Sequence, residues 1–134
     1  MTERNFPKNL DEAILAWLEG SGRRVRRLTH LTGDVSARRY CRLQLTSGQS
    51  VIAAFYPQSI RHACSKYIDT TRLLTGVGVR VPEILDADCQ LGLVLLEDVG
   101  SETLYDQPAD DWDRLHRWYA RAVFLVDRIQ SIPV

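Results

Sequence analysis

The sequence predicts an α+β domain in which an antiparallel sheet of about five strands is flanked by helices. Three observations predict it. Segments alternating apolar and polar residues recur through the first hundred positions, short turn sequences join two pairs of them, and three longer stretches keep helical spacing.

Leu10, Ile14, Trp17 and Leu18 recur at helical intervals, so a leading helix is expected over residues 10–19. Asn9 and Glu12 are placed as its cap, and Gly20 and Gly22 as its stop. Val25–Thr32 reads as a strand with its arginine side solvated. Arg38–Leu45 is a clearer one, with Cys41, Leu43 and Leu45 pointing one way and Tyr40, Arg42 and Gln44 the other. The turn Thr46-Ser47-Gly48-Gln49 leads into Ser50–Tyr56, which is expected to pair back as a hairpin. That third strand is apolar throughout, which predicts a central place with both faces covered.

Pro57 ends the strand. A helix is expected from Ser59 to Thr75, with Ile60, Cys64, Tyr67, Ile68, Thr71 and Leu74 on one face and Gly76 and Gly78 as its stop. Pro82–Ala87 and Gly92–Glu97 form a second hairpin around Asp88-Cys89-Gln90, and Asp98-Val99-Gly100-Ser101 is a breaker. The last helix starts near Asp110 and carries Trp112, Leu115, Tyr119, Ala122, Val126 and Ile129 as a stripe. Within it Ala122–Val126 is apolar all round, a pattern that needs partners on more than one side. Either the helix is central in a small domain, or its second face belongs to a lobe outside this chain.

A length of 134 residues suits one domain with a real core, and is short for a complete two-lobed enzyme. Seventeen basic and seventeen acidic residues cancel, so net charge gives no case for nucleic acid or a membrane. The distribution is uneven. Arginines crowd the first third, whereas no Lys or Arg occurs from Val81 to Asp113. Cys41, Cys64 and Cys89 are widely spaced and odd in number, and read as reduced thiols of a cytoplasmic protein. The polar N-terminus lacks the apolar core of a signal peptide, and the apolar runs are too short to span a bilayer.

The chemistry concentrates in Gly33-Asp34-Val35-Ser36-Ala37-Arg38-Arg39-Tyr40-Cys41-Arg42. A glycine-opened polar loop lets the backbone approach a ligand, and successive N–H groups in such a turn can hold phosphate oxygens. A strand follows the loop. That separates it from the phosphate loops whose glycines open a helix, and matches the loop that kinases fold over phosphates between two antiparallel strands.

Three runs carry a resemblance: Thr32–Tyr40, Val77–Asp88 and Gly92–Gly100. In that order and at that spacing the chain resembles the aminoglycoside phosphotransferase family of protein-kinase-like fold. Within it the chain most resembles the bacterial amino-sugar anomeric kinases of cell-wall recycling, which act on N-acetylmuramate and N-acetylglucosamine. The resemblance covers Leu10 to Pro133. It implies an N-terminal kinase lobe over residues 1–97, a hinge at 98–101, and over 102–134 the first helix of a C-terminal lobe that is otherwise absent.

The resemblance also implies a nucleotide site. Gly33, Asp34, Val35 and Ser36 would cover the phosphates of ATP. The Glu97 carbonyl and the Val99 N–H would pair with the adenine edge, Leu96 would sit behind the base, and Ile52 would roof it. Taken alone, the loop is an ordinary hairpin turn and Glu97-Asp98-Val99 a strand ending at an acidic turn. Mg²⁺ and the catalytic aspartate are implied to be held outside this chain. None of His30, His62 and His116 begins a His-x-Asp triplet. The expected function is the nucleotide-binding half of an ATP-dependent phosphotransferase acting on a sugar or aminoglycoside hydroxyl, inactive alone.

One departure stands out. Kinases carry a lysine on the third strand that pairs with the α and β phosphates. Here Ala54 falls at that position, and the helix after it has no Glu. The amino-sugar branch also lacks this lysine. Arg39 or Arg42 could supply the charge; the plainer reading leaves both on a solvated strand face. Other readings are weaker. The arginines could form a nucleic-acid stripe, but only Tyr40 is interleaved with them. His62 and Cys64 have no matching second pair of metal ligands, and the tryptophans read as packing. A different class of function is a degenerate, non-catalytic module that binds a partner through the apolar last helix and the acidic hinge region, or a second copy through that helix.

Overall fold

The computed structural model describes residues 10–32 and 36–133. Among them the chain is α+β, with a five-stranded antiparallel sheet and three α-helices. The elements are α1 (Leu10–Gly20), β1 (Val25–Leu31), β2 (Arg39–Leu45), β3 (Ser50–Phe55), α2 (His62–Gly76), β4 (Ile84–Asp88), β5 (Leu93–Glu97) and α3 (Trp112–Gln130). Single 3₁₀ turns stand at Gln58–Ile60 and Leu104–Asp106. Spatial strand order is β1-β2-β3-β5-β4, so the apolar third strand is central, as its composition requires.

The chain divides into two compact units. The first comprises the described residues of Met1–Ser65 together with Glu83–Asp98; the second comprises Lys66–Pro82 and the described residues of Val99–Val134.

In the first unit the alternation of β2 and β3 builds two unlike faces. Cys41, Leu43, Leu45, Val51, Ala53, Leu93 and Leu95 form one buried cluster with Leu10, Ile14 and Leu18 of α1. The helical spacing of those three α1 residues puts them on one stripe, and burying each contributes about 1.5–3 kcal/mol. The alternate residues, Tyr40, Arg42, Ile52, Ala54, Val94 and Leu96, occupy the opposite face by the two-residue pleat. Asn9, the expected cap of α1, lies outside the described residues.

The helix expected from Ser59 resolves into the 3₁₀ turn and α2, because Pro57 precedes a turn too tight to continue as α. The start of α2 is tied to the β4–β5 turn. Arg61 donates from Nε to the Tyr56 carbonyl (3.0 Å) and from its Nη1 to the Gln90 carbonyl. Cys64, fully buried, forms a disulfide with Cys89 across a Cα–Cα distance of 5.7 Å. This corrects the expectation of three reduced thiols: sequence separation hid a proximity that the hairpin creates, and Cys41 alone is free. Gly92, in the same turn, has φ +73°, and a side chain there would collide with the Tyr56 carbonyl and Arg61.

In the second unit Asp111 caps α3, accepting a hydrogen bond from the Arg114 N–H, and Arg128 donates to the Gly78 carbonyl at 3.0 Å. Leu115 is buried. Trp112, Trp118, Tyr119, Val123, Phe124, Val126 and Ile129 are exposed, so the predicted stripe is real but mostly uncovered. The reading of the tryptophans as packing holds for Trp17, which lies against the first unit's core, and fails for Trp112 and Trp118. Among the described residues no helix is long and apolar enough to cross a membrane.

Candidate functional site

The sheet face opposite α1 carries the candidate site. Ile52 on β3 is paired in register with Leu96 on β5, and Leu96 in turn with Ile84 on β4. With Ala54 and Val94, also cross-strand partners, they make an apolar strip along the centre of the sheet. Ala54, Val94 and Leu96 are buried, and Ile52 is partly exposed. The strip is apolar because no charged residue stands at these four alternate positions of β3 and β5, although the flanking β2 contributes Arg42 to the same face.

Glu97 closes β5, opposite Val51. Its N–H donates to the Glu83 carbonyl (2.8 Å), and its carboxylate accepts from the Glu83 N–H (3.1 Å). The next residue is fixed more firmly. Asp98 accepts two hydrogen bonds from Arg42, 2.8 Å from Nε and 3.1 Å from Nη2, and one from the Ser50 hydroxyl at 2.5 Å. Its side chain retains only 9% exposure, against 25% for Arg42. A bidentate guanidinium–carboxylate pair is charge-assisted and directional. Asp98 hydrogen-bonds Arg42 above all, which raises the guanidinium pKa further. The first unit therefore ends on a residue clamped to β2 and to the start of β3.

This clamp corrects the reading of Arg42 as a solvated or phosphate-seeking cation: its fork is engaged with Asp98. Arg39 pairs with Phe55 and by strand parity shares the α1 face with Cys41, away from the strip. The three residues of the clamp were visible in the sequence: Arg42 lies within β2, Ser50 opens β3 and Asp98 follows β5. Register decides it, and register is what a sequence alone leaves open.

The predicted site residues thus divide. Ile52, Leu96 and Glu97 are brought together on neighbouring strands. Ser36 lies in the bend before β2, where its hydroxyl accepts from the backbone N–H and from Nε of Arg38, both at 3.2 Å. Val99 belongs to the second unit and is 60% exposed. Gly33, Asp34 and Val35 lie outside the described residues.

A second constellation looks catalytic and is not. Cys41 Sγ lies 3.5 Å from His30 Nδ1, and His30 Nε2 lies 3.0 Å from Asp11. The order thiol, imidazole, carboxylate resembles a nucleophilic triad. Yet Cys41 is 1% exposed, and burial, assisted by the Asp11 charge, pushes its thiol from 9.0 up to about 11. A protonated thiol inside the core is no nucleophile at neutral pH. Among the described residues no group of three or more His, Cys, Asp or Glu stands together to hold a metal.

The chain has relatives among known proteins. No family model matches the chain. It is 35% identical over 75 residues to an N-acetylmuramate/N-acetylglucosamine kinase of Pseudomonas aeruginosa, which covers 56% of this chain and 22% of that protein. A protein of the same name from Pseudomonas putida is 32% identical over 108 residues, 80% of this chain and 30% of its own length. One from Neisseria meningitidis is 34% identical over 76 residues. The chain thus spans less than a third of the curated relatives it matches, and these partial similarities support a kinase-related relationship.

Proposed function

We propose that the first unit is the nucleotide-binding part of an ATP-dependent phosphotransferase of the aminoglycoside phosphotransferase type, and that it forms the N-terminal lobe of a kinase-like fold. The observation that carries this reading is the Ile52–Leu96 pair on the apolar strip, with Glu97 ending β5 beside it and Asp98 clamped immediately after. A purine ring is flat and apolar on its faces, so it suits a strip of Ile52, Ala54, Val94 and Leu96, while its polar edge needs backbone groups at a strand end. Glu97 supplies that strand end. The Glu97 carbonyl would accept from the adenine amino group, and Val99 N–H would donate to the ring. Gly33, Asp34, Val35 and Ser36 remain the proposed cover of the phosphates.

ATP bound there would supply the phosphoryl group, and Mg²⁺ would supply charge to neutralise its oxygens. As part of this proposal, the metal ligands and the base that activates the acceptor hydroxyl are assigned to protein outside this chain. By the names of the relatives the acceptor is an amino sugar such as N-acetylmuramate or N-acetylglucosamine. The cytoplasm is the proposed location. In that reducing compartment Cys64 and Cys89 would stand as a dithiol, so the state of the pair in freshly lysed cells bears on the assignment.

Titration of ATP, ADP and adenosine into the chain tests the reading, with binding followed at the Ile52 and Leu96 methyl groups. Binding that perturbs both supports it. Absence of binding at millimolar ATP refutes it.

A second reading, a non-catalytic interaction module, is favoured by one observation: the exposed apolar side of α3, with Val123 69% and Phe124 58% exposed. Uncovered side chains of that size mark an association surface. Self-association without nucleotide would support it.

A further inference from the structure

We infer that Cys64 and Cys89 are a reversible thiol–disulfide pair, in which Cys89 exchanges with small thiols and disulfides and Cys64 closes the internal bond. Both lie in the first unit, and nothing in their chemistry depends on a nucleotide. Access to the two sulfurs is unequal. Cys64 is 0% exposed, so a thiolate arriving from solvent does not reach its sulfur. Cys89 is partly exposed, in the turn that joins β4 to β5. Exchange proceeds at the sulfur that an attacking thiolate can reach. Cys41, 1% exposed, stays out of the reaction.

The two segments are also held together by groups other than sulfur. The Tyr56 N–H donates to the Gly92 carbonyl at 2.7 Å. Arg61 donates from Nε to the Tyr56 carbonyl at 3.0 Å and from Nη1 to the Gln90 carbonyl. Asp88 Oδ1 accepts from the Gln90 and Leu91 N–H groups, each at 3.0 Å, and so shapes the turn around Cys89. On the other side the Cys64 N–H donates to the Arg61 carbonyl at 3.1 Å, which ties Cys64 to the residue that grips the turn. These contacts survive reduction. The Cα–Cα distance of 5.7 Å is therefore kept when the bond opens, and the two thiols stay within closing distance. Ring closure is then intramolecular and outruns attack by a second small molecule.

The oxidant is a low-molecular-weight disulfide. The Cys89 thiolate attacks one of its sulfurs, forming a mixed disulfide and releasing a small thiolate, which takes up a proton. Cys64 gives its proton to solvent and attacks the Cys89 sulfur, and the second small thiolate leaves and is protonated. Two protein thiols become one disulfide as one small disulfide becomes two thiols, a two-electron exchange. A small thiol drives the reverse, attacking Cys89 and expelling Cys64. The turn is thus cross-linked to the start of α2 under oxidising conditions and released from that link under reducing ones.

The test uses the 134-residue chain and its Cys64→Ser and Cys89→Ser variants, each reduced, freed of reductant and exposed to oxidised glutathione without denaturant. Acid-quenched samples are read by mass spectrometry, with peptide mapping to locate the adduct. Cys64→Ser should collect one glutathione on Cys89 at least about tenfold faster than Cys89→Ser collects one on Cys64. The native chain should pass to the internal disulfide with no lasting adduct, and reduced glutathione should reopen it without urea. Cys64→Ala, which buries no hydroxyl, replaces the serine variant if that one does not fold. Comparable adduct rates on the two cysteines would overturn the division of roles. A lasting adduct on the native chain, no reaction at all, or a bond that opens only in urea would overturn the reversible pair.

Discussion

Arg42 and Asp98 are 56 residues apart in sequence and meet through two hydrogen bonds, 2.8 and 3.1 Å long, at the end of the first unit. Ser50 adds a third bond to the same carboxylate. Three elements that the chain visits at different times are thereby fixed at one point, next to the strand end where the adenine edge is proposed to bind.

Asp98→Ala should therefore destabilise the fold by about 2–3 kcal/mol, because it strands a partly buried guanidinium and the Ser50 hydroxyl. Arg42→Met paired with it in a double-mutant cycle should show coupling of about 1 kcal/mol or more. Urea unfolding measures both. Strictly additive losses would mean the two residues do not act as a pair.

Cys41 gives the fold a defined alkaline weakness. Its thiol ionises at about 11 when folded and near 9.0 when unfolded. Between those values the folded state holds the proton that the unfolded state has released, so stability falls as pH rises. The full contribution, about 3 kcal/mol, is present below pH 9 and lost as pH rises through about 11. Comparing Cys41→Ala with the native chain isolates it: their stability difference should narrow across that window. A difference that is flat in pH would contradict the buried thiol.

The Cys64–Cys89 bond closes a loop with a sequence separation of 25, for which chain entropy predicts roughly 3 kcal/mol of stabilisation. Thiol titration in denaturant without reductant should find one free thiol per chain, and reductant should lower the melting temperature. Three free thiols in air-oxidised protein would contradict the pairing.

The uncovered side of α3 predicts concentration-dependent association of the chain. Phe124→Asp together with Ile129→Asp should move it to monomer in sedimentation while leaving helix content intact, since both positions are exposed. A native chain that sediments as monomer across a hundredfold range of concentration would contradict this.

Much of the fold was legible because the periodic signals were strong. The α1 stripe, the alternation of β2 and the all-apolar β3 each fixed an element and its buried side. The α2 stripe is similarly the less exposed face of that helix, from Cys64 through Tyr67, Ile68 and Thr71 to Leu74. What could not be read was contact between distant segments. Cys64 meets Cys89 only because the β4–β5 turn folds back over the start of α2. Arg42 looked solvated because its partner comes from another strand. For the site, residue types pointed to Ile52 and Leu96, but only register makes them neighbours. Apolar composition in α3 foretold a surface needing cover, which a single chain does not supply.

The central claim, a nucleotide base lodged on the strip between β3 and β5, is tested most directly by nuclear Overhauser contacts between adenine protons and side-chain methyls in the chain mixed with ATP. Contacts to Ile52 and Leu96, lost on Ile52→Asp, are the predicted result. Adenine contacts confined to the methyls of α3, or none at all at millimolar ATP, would contradict it.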